Sequence, residues 1–142
     1  MRIADVLATK GDYSVVTIRS DASVRSLLEL LSQYGIGAVV VSDDGATIAG
    51  IVSERDVVRE LAQHREAVDG PVSAIMTAEV HTVAPEATVT ELAAEMTERR
   101  IRHVPVLRDG KLVGLVSIGD VVKHRISMLL DEANHLQGYI QQ

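Results

Sequence analysis

The sequence of 142 residues repeats itself, and this internal repeat constrains the fold more than any other feature. Thr17–Val24 aligns with Thr82–Val89 without a gap, and after the loss of one residue Gly50–Val58 aligns with Gly114–Val122. Such a repeat indicates a tandem duplication, in which each copy is one supersecondary unit that buries its apolar face against its neighbour. The predicted divisions are repeat 1 over 1–64, a linker over 65–71, repeat 2 over 72–128 and a helical extension over 129–142.

Both copies have the same predicted order of elements, β-α-β-β-α. Apolar residues at positions 24, 27, 28 and 31, and again at 89, 92, 93 and 96, follow the spacing of one helix face. Asp44-Gly45 and Asp109-Gly110 separate β-branched runs, which is a strong hairpin signal. The predicted strands are Val15–Ile18, 36–42 and 47–52 in repeat 1 and Val80–Val83, 102–107 and 111–116 in repeat 2.

The helix ends carry their own signals. Ser23 can cap the first helix of repeat 1, and Gly35 suits its end. Thr88 and Glu91 form a capping box in repeat 2. Because a copy of about sixty residues is marginal in size for a core of its own, we expect an α/β fold in which the two repeats pack with pseudo-two-fold symmetry and leave clefts between them.

The composition excludes several classes of function. Lys and Arg number 14 against 20 Asp and Glu, and the net charge of −6 disfavours nucleic acid, because phosphate neutralisation drives that binding. The chain has no cysteine and therefore no disulfide, thiolate nucleophile or zinc–thiolate site. No apolar run approaches the length that spans a bilayer, and Asp5 interrupts the N-terminus too early for a signal peptide, so we expect a cytoplasmic protein.

Signals for catalytic and metal sites are weak. The sequence offers no nucleophile paired with a base and no paired carboxylates, so an enzyme is not expected. His124 lies four residues after Asp120, and His135 four residues after Asp131, a spacing that can bind a metal from one helix face. Because no third ligand accompanies either pair, we expect no metal site and interpret both histidines as solvated helix residues.

One motif closes each repeat: Gly-hydrophobic-Val-Ser-x-x-Asp-Val-Val, at 50–58 and 114–122. It places a serine and an aspartate three residues apart where a strand turns into a helix, with helices beginning at Ser53 and Ser117. The free N–H groups of a helix start can hold a phosphate, and a carboxylate there can accept bonds from ribose hydroxyls. The same pattern is close to a capping box, which needs no ligand. Duplication copies caps as well as sites, so spacing alone leaves both interpretations open.

The duplicated unit, closed by Gly50–Asp56 and Gly114–Asp120, and the segment Ile101–Val106 resemble a tandem pair of CBS (cystathionine β-synthase) domains, a Bateman module, over roughly Ile3–Met128. The resemblance implies a stand-alone regulatory module that binds AMP, ADP, ATP, NAD or S-adenosylmethionine between the repeats and senses energy or redox state. It implies two ribose-binding acids and two neighbouring hydroxyls, which are Asp56, Asp120, Ser53 and Ser117.

The resemblance further implies crossed clefts, in which the Ser/Asp end of one repeat faces the strands of the other. The first cleft would add Arg55, Arg102 and His103 to hold phosphate, whereas the second has Gly37 and Ala38 at the equivalent place and Gly119 instead of Arg55. We therefore expect the first cleft to be the better phosphate site. The implied adenine-pocket residues are Val80, His81, Thr82 and Val104 in the first cleft and Val16, Thr17, Ile18, Gly37, Ala38 and Val39 in the second.

An apolar stripe continues past the second repeat at helical spacing, with Ile126, Leu129, Leu130, Ala133, Leu136 and Ile140. Similar modules usually pair, so we expect the stripe to form a homodimer, with output to a separate effector protein or to the dimer itself. Its polar face lacks Lys and Arg, which disfavours a membrane surface. The alternative function is a structural dimerisation module with empty clefts, and thermal melts with AMP, ATP and NAD discriminate the two.

Overall fold

Two related α/β halves follow one another in the computed structural model, which describes residues 1–10 and 15–140. The predicted duplication and fold class are confirmed. The extension predicted from residue 129 continues the last helix without a break. The elements are α1 (Ile3–Thr9), β1 (Thr17–Ile18), α2 (Val24–Tyr34), β2 (Ala38–Val41), β3 (Gly50–Ser53), α3 (Glu54–Gln63), two 3₁₀ turns (Arg65–Asp69 and Val72–Ala74), α4 (Val89–Arg99), β4 (His103–Arg108), β5 (Lys111–Ser117) and α5 (Ile118–Ile140).

The two sheets are unequal although the repeats are related. In repeat 1, β1 runs parallel to β2 and β2 runs antiparallel to β3, with Val39 opposite Val52. In repeat 2, β4 and β5 form an antiparallel hairpin. The prediction of a strand over Val80–Val83 is wrong. Of these four described residues only Val83 pairs with a strand, through a single parallel bridge to Val106.

Pro105 gives the physical reason for the missing strand. The N–H of Val83 donates to the carbonyl of Pro105 at 3.1 Å, and the N–H of Leu107 donates to the carbonyl of Val83 at 2.9 Å. The next bond of a parallel ladder would need the N–H of Pro105, which proline lacks. The pairing therefore stops after one residue, whereas β1 pairs over two.

All three strands of repeat 1 are shorter than predicted, and β3 begins at Gly50 rather than at residue 47. The carboxylate of Asp44 accepts hydrogen bonds from the N–H groups of Ala46, at 2.8 Å, and Thr47, at 2.7 Å. Backbone groups held by a side chain in this way are withdrawn from sheet pairing. These bonds also hold the pKa of Asp44 far below its ordinary value.

The helix ends follow the predicted signals, with one exception. The hydroxyl of Ser23 accepts the N–H of Ser26 at 3.0 Å, and α2 ends at Gly35 in the left-handed conformation, with φ of 61°. Thr88 and the side chain three residues later form the predicted capping box of α4. However, α4 ends at Arg100, whose φ of 56° is also left-handed. Repeat 2 thus has an arginine at the position where repeat 1 has a glycine.

Each half has its own buried core, but the segment that precedes each half packs on the other. Ile3 and Val6 of α1 are fully buried in the core of repeat 2, and Val72 is fully buried in the core of repeat 1. Leu7 fits so closely that a Cβ added to Gly114 would lie 2.5 Å from its Cδ2 atom. This exchange couples the stability of the two halves. Unfolding of either core would expose apolar side chains of the segment that precedes the other half.

His124 is buried, and its prediction as a solvated residue is wrong. Only 8% of it is exposed, and its Nε2 lies 3.1 Å from the hydroxyl of Thr9 while its Nδ1 lies 3.0 Å from the sulfur of Met1. The packing of α1 on α5, which no local pattern shows, covers it. His135 is exposed, as predicted. Within residues 1–10 and 15–140, no group of three His, Cys, Asp or Glu side chains could hold a metal ion.

Candidate functional site

Both Ser-x-x-Asp motifs lie at strand-to-helix junctions and form capping boxes. In repeat 1 the Oδ2 atom of Asp56 accepts the N–H of Ser53 at 2.9 Å and its hydroxyl at 3.1 Å. In repeat 2 the Oδ2 atom of Asp120 accepts the N–H of Ser117 at 2.9 Å. Each cap uses one carboxylate oxygen, while a carboxylate can accept about four hydrogen bonds. The capping role therefore leaves each Oδ1 atom able to accept bonds from a ligand.

The first cleft, of about 700 Å³, lies between the two repeats beside Asp56. It brings together seven of the predicted residues, namely Ser53, Arg55, Asp56, Val80, His81, Arg102 and His103. Thr82 and Val104 do not line it, and Val104 is fully buried in the core of repeat 2. Further lining residues that the sequence did not single out are Ile51, Glu54, Arg59, Thr77, Glu79, Arg99, Arg100 and Ile101, joined by Gly37 and Ala38, which were predicted for the second cleft.

One predicted adenine-pocket residue is already engaged. Nε2 of His81 lies 2.7 Å from Oε2 of Glu95, a residue of α4. This contact holds the imidazole against α4. The ring lines the cleft, but its Nε2 atom is already engaged by Glu95. The separation of the two residues along the chain provides no reason to pair them.

The second cleft is smaller, at about 390 Å³, and lies beside Ser117. Val16, Gly37, Ala38 and Ser117 line it, as the resemblance implied. Four other predicted residues do not line it. Ile18 and Val39 are buried in the core of repeat 1, Thr17 pairs with β2, and the carboxylate of Asp120 bonds to Lys10. The remaining lining residues are Lys10, Val15, Ile36, His103 and Leu115.

The fold and the sequence decide the family. The chain matches the family model for the CBS domain twice, over residues 3–63 and 72–127. It belongs to the CBS-domain family. It is 38% identical over 147 residues to the CBS domain-containing protein CBSX3, mitochondrial, of Arabidopsis thaliana, an alignment that covers 98% of this chain and 71% of the relative.

Solved structures share this CBS-pair fold. A protein with CBS domains from Burkholderia ambifaria MC40-6 superposes with a TM-score of 0.84 at 43% identity, over 89% of this chain and 95% of that one. The CBS domain pair of protein MJ0100, in complex with 5′-methylthioadenosine and S-adenosyl-L-methionine, superposes with a TM-score of 0.79 at 24% identity, over 90% and 98%. At this identity the second likeness shows the fold alone.

Lys10 is a further residue of this CBS pair that sequence reasoning missed. Its ammonium group, at the end of α1, donates to Oδ2 of Asp120 at 2.8 Å and to the carbonyl of Leu115 at 2.8 Å. Burial would raise the pKa of Asp120, but the bonds from Lys10 and Ser117 hold it below its ordinary value. The second cleft therefore has a cation, contrary to the expectation from Gly37 and Ala38, and that cation already neutralises the acid.

His103 is shared by both clefts, since it lines each of them together with Gly37 and Ala38. Burial lowers its pKa, Glu54 and Asp120 oppose this shift, and Lys10 and Arg102 add to it. The ring therefore resists protonation in the folded chain, where it stands between two cations and two acids.

This shift predicts a loss of stability in mild acid. Below the ordinary pKa of 6.5 the unfolded chain binds a proton at His103 that the folded chain refuses, so the free energy of unfolding falls as the pH falls from 6.5 towards the lowered value. We expect the urea midpoint of the wild type to drop more between pH 7.5 and 5.5 than that of His103→Gln. Parallel curves for the two proteins would contradict this assignment.

Proposed function

We propose that this CBS pair is a regulatory module rather than an enzyme, and that it binds an adenosine-containing nucleotide (AMP, ADP, ATP or NAD) between its repeats to sense energy or redox state. One observation carries the proposal: the first cleft sets the hydroxyl and acid of repeat 1, Ser53 and Asp56, against the guanidinium of Arg102 and the imidazole of His103 in repeat 2. A ribose and its phosphate need this combination of groups at one place.

Each group has a distinct role in this proposal. The Oδ1 atom of Asp56, which lies 4.0 Å from Nη1 of Arg59, accepts bonds from the ribose hydroxyls, while its Oδ2 atom keeps α3 capped. Arg55 and Arg102 hold phosphate, because a guanidinium offers two parallel donors to its oxygens. The flat base packs on apolar side chains that line the same cleft, which are Ala38, Ile51, Val80 and Ile101.

The second cleft is the weaker candidate for the same ligand. The ammonium group of Lys10 pairs with Oδ2 of Asp120 at 2.8 Å, so a ribose bound at Oδ1 would meet a carboxylate whose charge is already neutralised. The solved complex of the MJ0100 domain pair with two adenosyl compounds supports the class of ligand, since it shows that this fold can hold such molecules.

Binding between the repeats gives the ligand a regulatory effect. A nucleotide at a hundredfold excess over its dissociation constant stabilises the bound arrangement by about 2.7 kcal/mol. It shifts the packing of the repeats only as far as it prefers one arrangement over another. The shift would then be read by a second copy of the chain or by a separate effector protein.

Thermal melts test the proposal directly. We expect a rise in melting temperature with at least one of AMP, ADP, ATP and NAD, and a smaller rise with the same concentration of inorganic triphosphate, which lacks the ribose and the base. Mass spectrometry of small molecules released from freshly purified protein identifies a ligand retained from the cell. No shift with any adenosine compound and no released ligand would contradict the proposal and favour the module with empty clefts.

A homodimer is the second part of the proposal. Exposed apolar side chains follow the outer faces of α3 and α5, where a partner would cover them; they are Val58, Val122, Ile126, Leu129, Leu130, Leu136, Tyr139 and Ile140. We expect sedimentation at twice the chain mass for the wild type and at one chain mass for Leu129→Glu, while the matched change Glu132→Gln has no effect. A wild-type monomer at micromolar concentration would contradict the dimer.

The cytoplasm remains the proposed location. No helix in the part of the chain that the structure describes is long and apolar enough to cross a membrane. The Arabidopsis relative is mitochondrial by name, so fractionation of the source cells has to decide between compartments for this chain.

A further inference from the structure

Five arginines line the first cleft, more than one phosphate can use; they are Arg55, Arg59, Arg99, Arg100 and Arg102. Three acids stand against them in the same lining, Glu54, Asp56 and Glu79. Among the described lining residues of the second cleft, Lys10 is the one Lys or Arg, and it is already paired with Asp120. Of the two clefts, the first therefore carries the larger positive charge.

Three of these arginines stand together at the C-terminal end of α4, at positions 99, 100 and 102, and all three are exposed. The guanidinium groups of these three arginines make no hydrogen bond or ion pair with other described residues. Arg59, on the other side of the cleft lining, differs from them because it lies 4.0 Å from the carboxylate of Asp56. Cations at a helix C-terminus interact favourably with its dipole. The cluster alone therefore fits a solvated helix end as well as a ligand site.

The backbone of Arg100 separates these two interpretations. It holds φ of 56° and ψ of 43°, while the equivalent residue of repeat 1, Gly35, holds 61° and 38°. This conformation strains every residue that has a Cβ and leaves glycine unstrained. Arg99, in the last turn, already serves the helix dipole. A strained residue whose side chain lines a cleft points to a role for that side chain.

We infer that Arg99, Arg100 and Arg102 form a polyphosphate subsite, through which the first cleft prefers adenosine triphosphate to the monophosphate. The inference rests on the proposed function and adds the class of nucleotide to it. With the ribose at Asp56 and the first phosphate at Arg55, the outer phosphates meet the three guanidinium groups, which have no partner among the described residues. Arginine suits this task because it stays charged and donates bidentately to phosphate oxygens.

Two substitutions at one position test the subsite. Arg100→Gly removes the guanidinium and relieves the strain, whereas Arg100→Ala removes the guanidinium and keeps the strain. We expect both to weaken ATP binding at least about tenfold, equivalent to about 1.4 kcal/mol, and AMP binding less than about twofold. Arg100→Gly should also melt no lower than the wild type and above Arg100→Ala, so that lost affinity cannot be attributed to lost stability. Isothermal titration at fixed salt and thermal melts supply both readouts.

Arg108→Ala is the matched control, since Arg108 is an exposed arginine of β4 outside the cleft and its loss changes the net charge equally. It should leave the ratio of AMP to ATP dissociation constants unchanged. If Arg100→Gly lowers ATP affinity no more than this control, or if the wild type binds ATP and AMP equally, the subsite is overturned and the proposed function stands. If the wild type binds no adenosine nucleotide, both are overturned.

Discussion

Asp56→Asn is expected to weaken ATP binding by about 100-fold, or about 2.7 kcal/mol, with little change in stability. The carboxylate would accept charge-assisted bonds from two ribose hydroxyls, each worth about 1.5–3 kcal/mol. Asparagine has nearly the same shape, and its amide oxygen can still accept the N–H of Ser53 that caps α3. The loss therefore falls on the ligand and is measured by isothermal titration beside a thermal melt of each protein.

Glu91→Gln is the matched control for this change. Glu91 closes the capping box of α4 by accepting the N–H of Thr88 at 3.2 Å, and it lines neither cleft. The same acid-to-amide exchange there should leave ATP binding unchanged. Undiminished binding by Asp56→Asn would mean that the carboxylate of Asp56 serves only as a helix cap.

Leu92→Ala is expected to lower the free energy of unfolding by about 2–5 kcal/mol, because it opens a cavity in a closed core. Leu92 is fully buried in repeat 2, and Leu27, at the equivalent position of repeat 1, is fully buried too. Leu27→Ala should therefore have a similar effect, while Leu28→Ala, at a residue 36% exposed, should have a smaller one. Urea unfolding followed by circular dichroism measures all three.

The shape of these unfolding curves tests how the halves depend on one another. Ile3 and Val6 complete the core of repeat 2, and Val72 completes that of repeat 1. A substitution in either core should therefore shift one shared transition. Two separate transitions for Leu92→Ala, one at the wild-type midpoint, would show that the repeats unfold independently.

The sequence predicted what depends on local pattern. Helix faces, the hairpins and the caps at Ser53 and Thr88 are set by residues a few positions apart, and duplication allowed each to be checked twice. The strand at Val80–Val83 failed because its partner, β4, contains Pro105, whose missing N–H matters only once the two segments are paired.

Parts of the site could not be predicted because they depend on distant contacts. Lys10 meets Asp120 only because α1 crosses to repeat 2, and the same crossing buries His124. The role proposed for Arg100 had one signal in the sequence, which was the glycine at the equivalent position of repeat 1. That difference gains its meaning from the left-handed backbone that both residues share.

A crystal structure grown with excess ATP tests the central claim most directly. The account predicts a nucleotide in the cleft between the repeats, with its ribose hydroxyls within hydrogen-bond distance of Oδ1 of Asp56 and its phosphates against Arg102. Density showing no nucleotide, with Asp56 and Asp120 bonded only to their own serines and to Lys10, would contradict it.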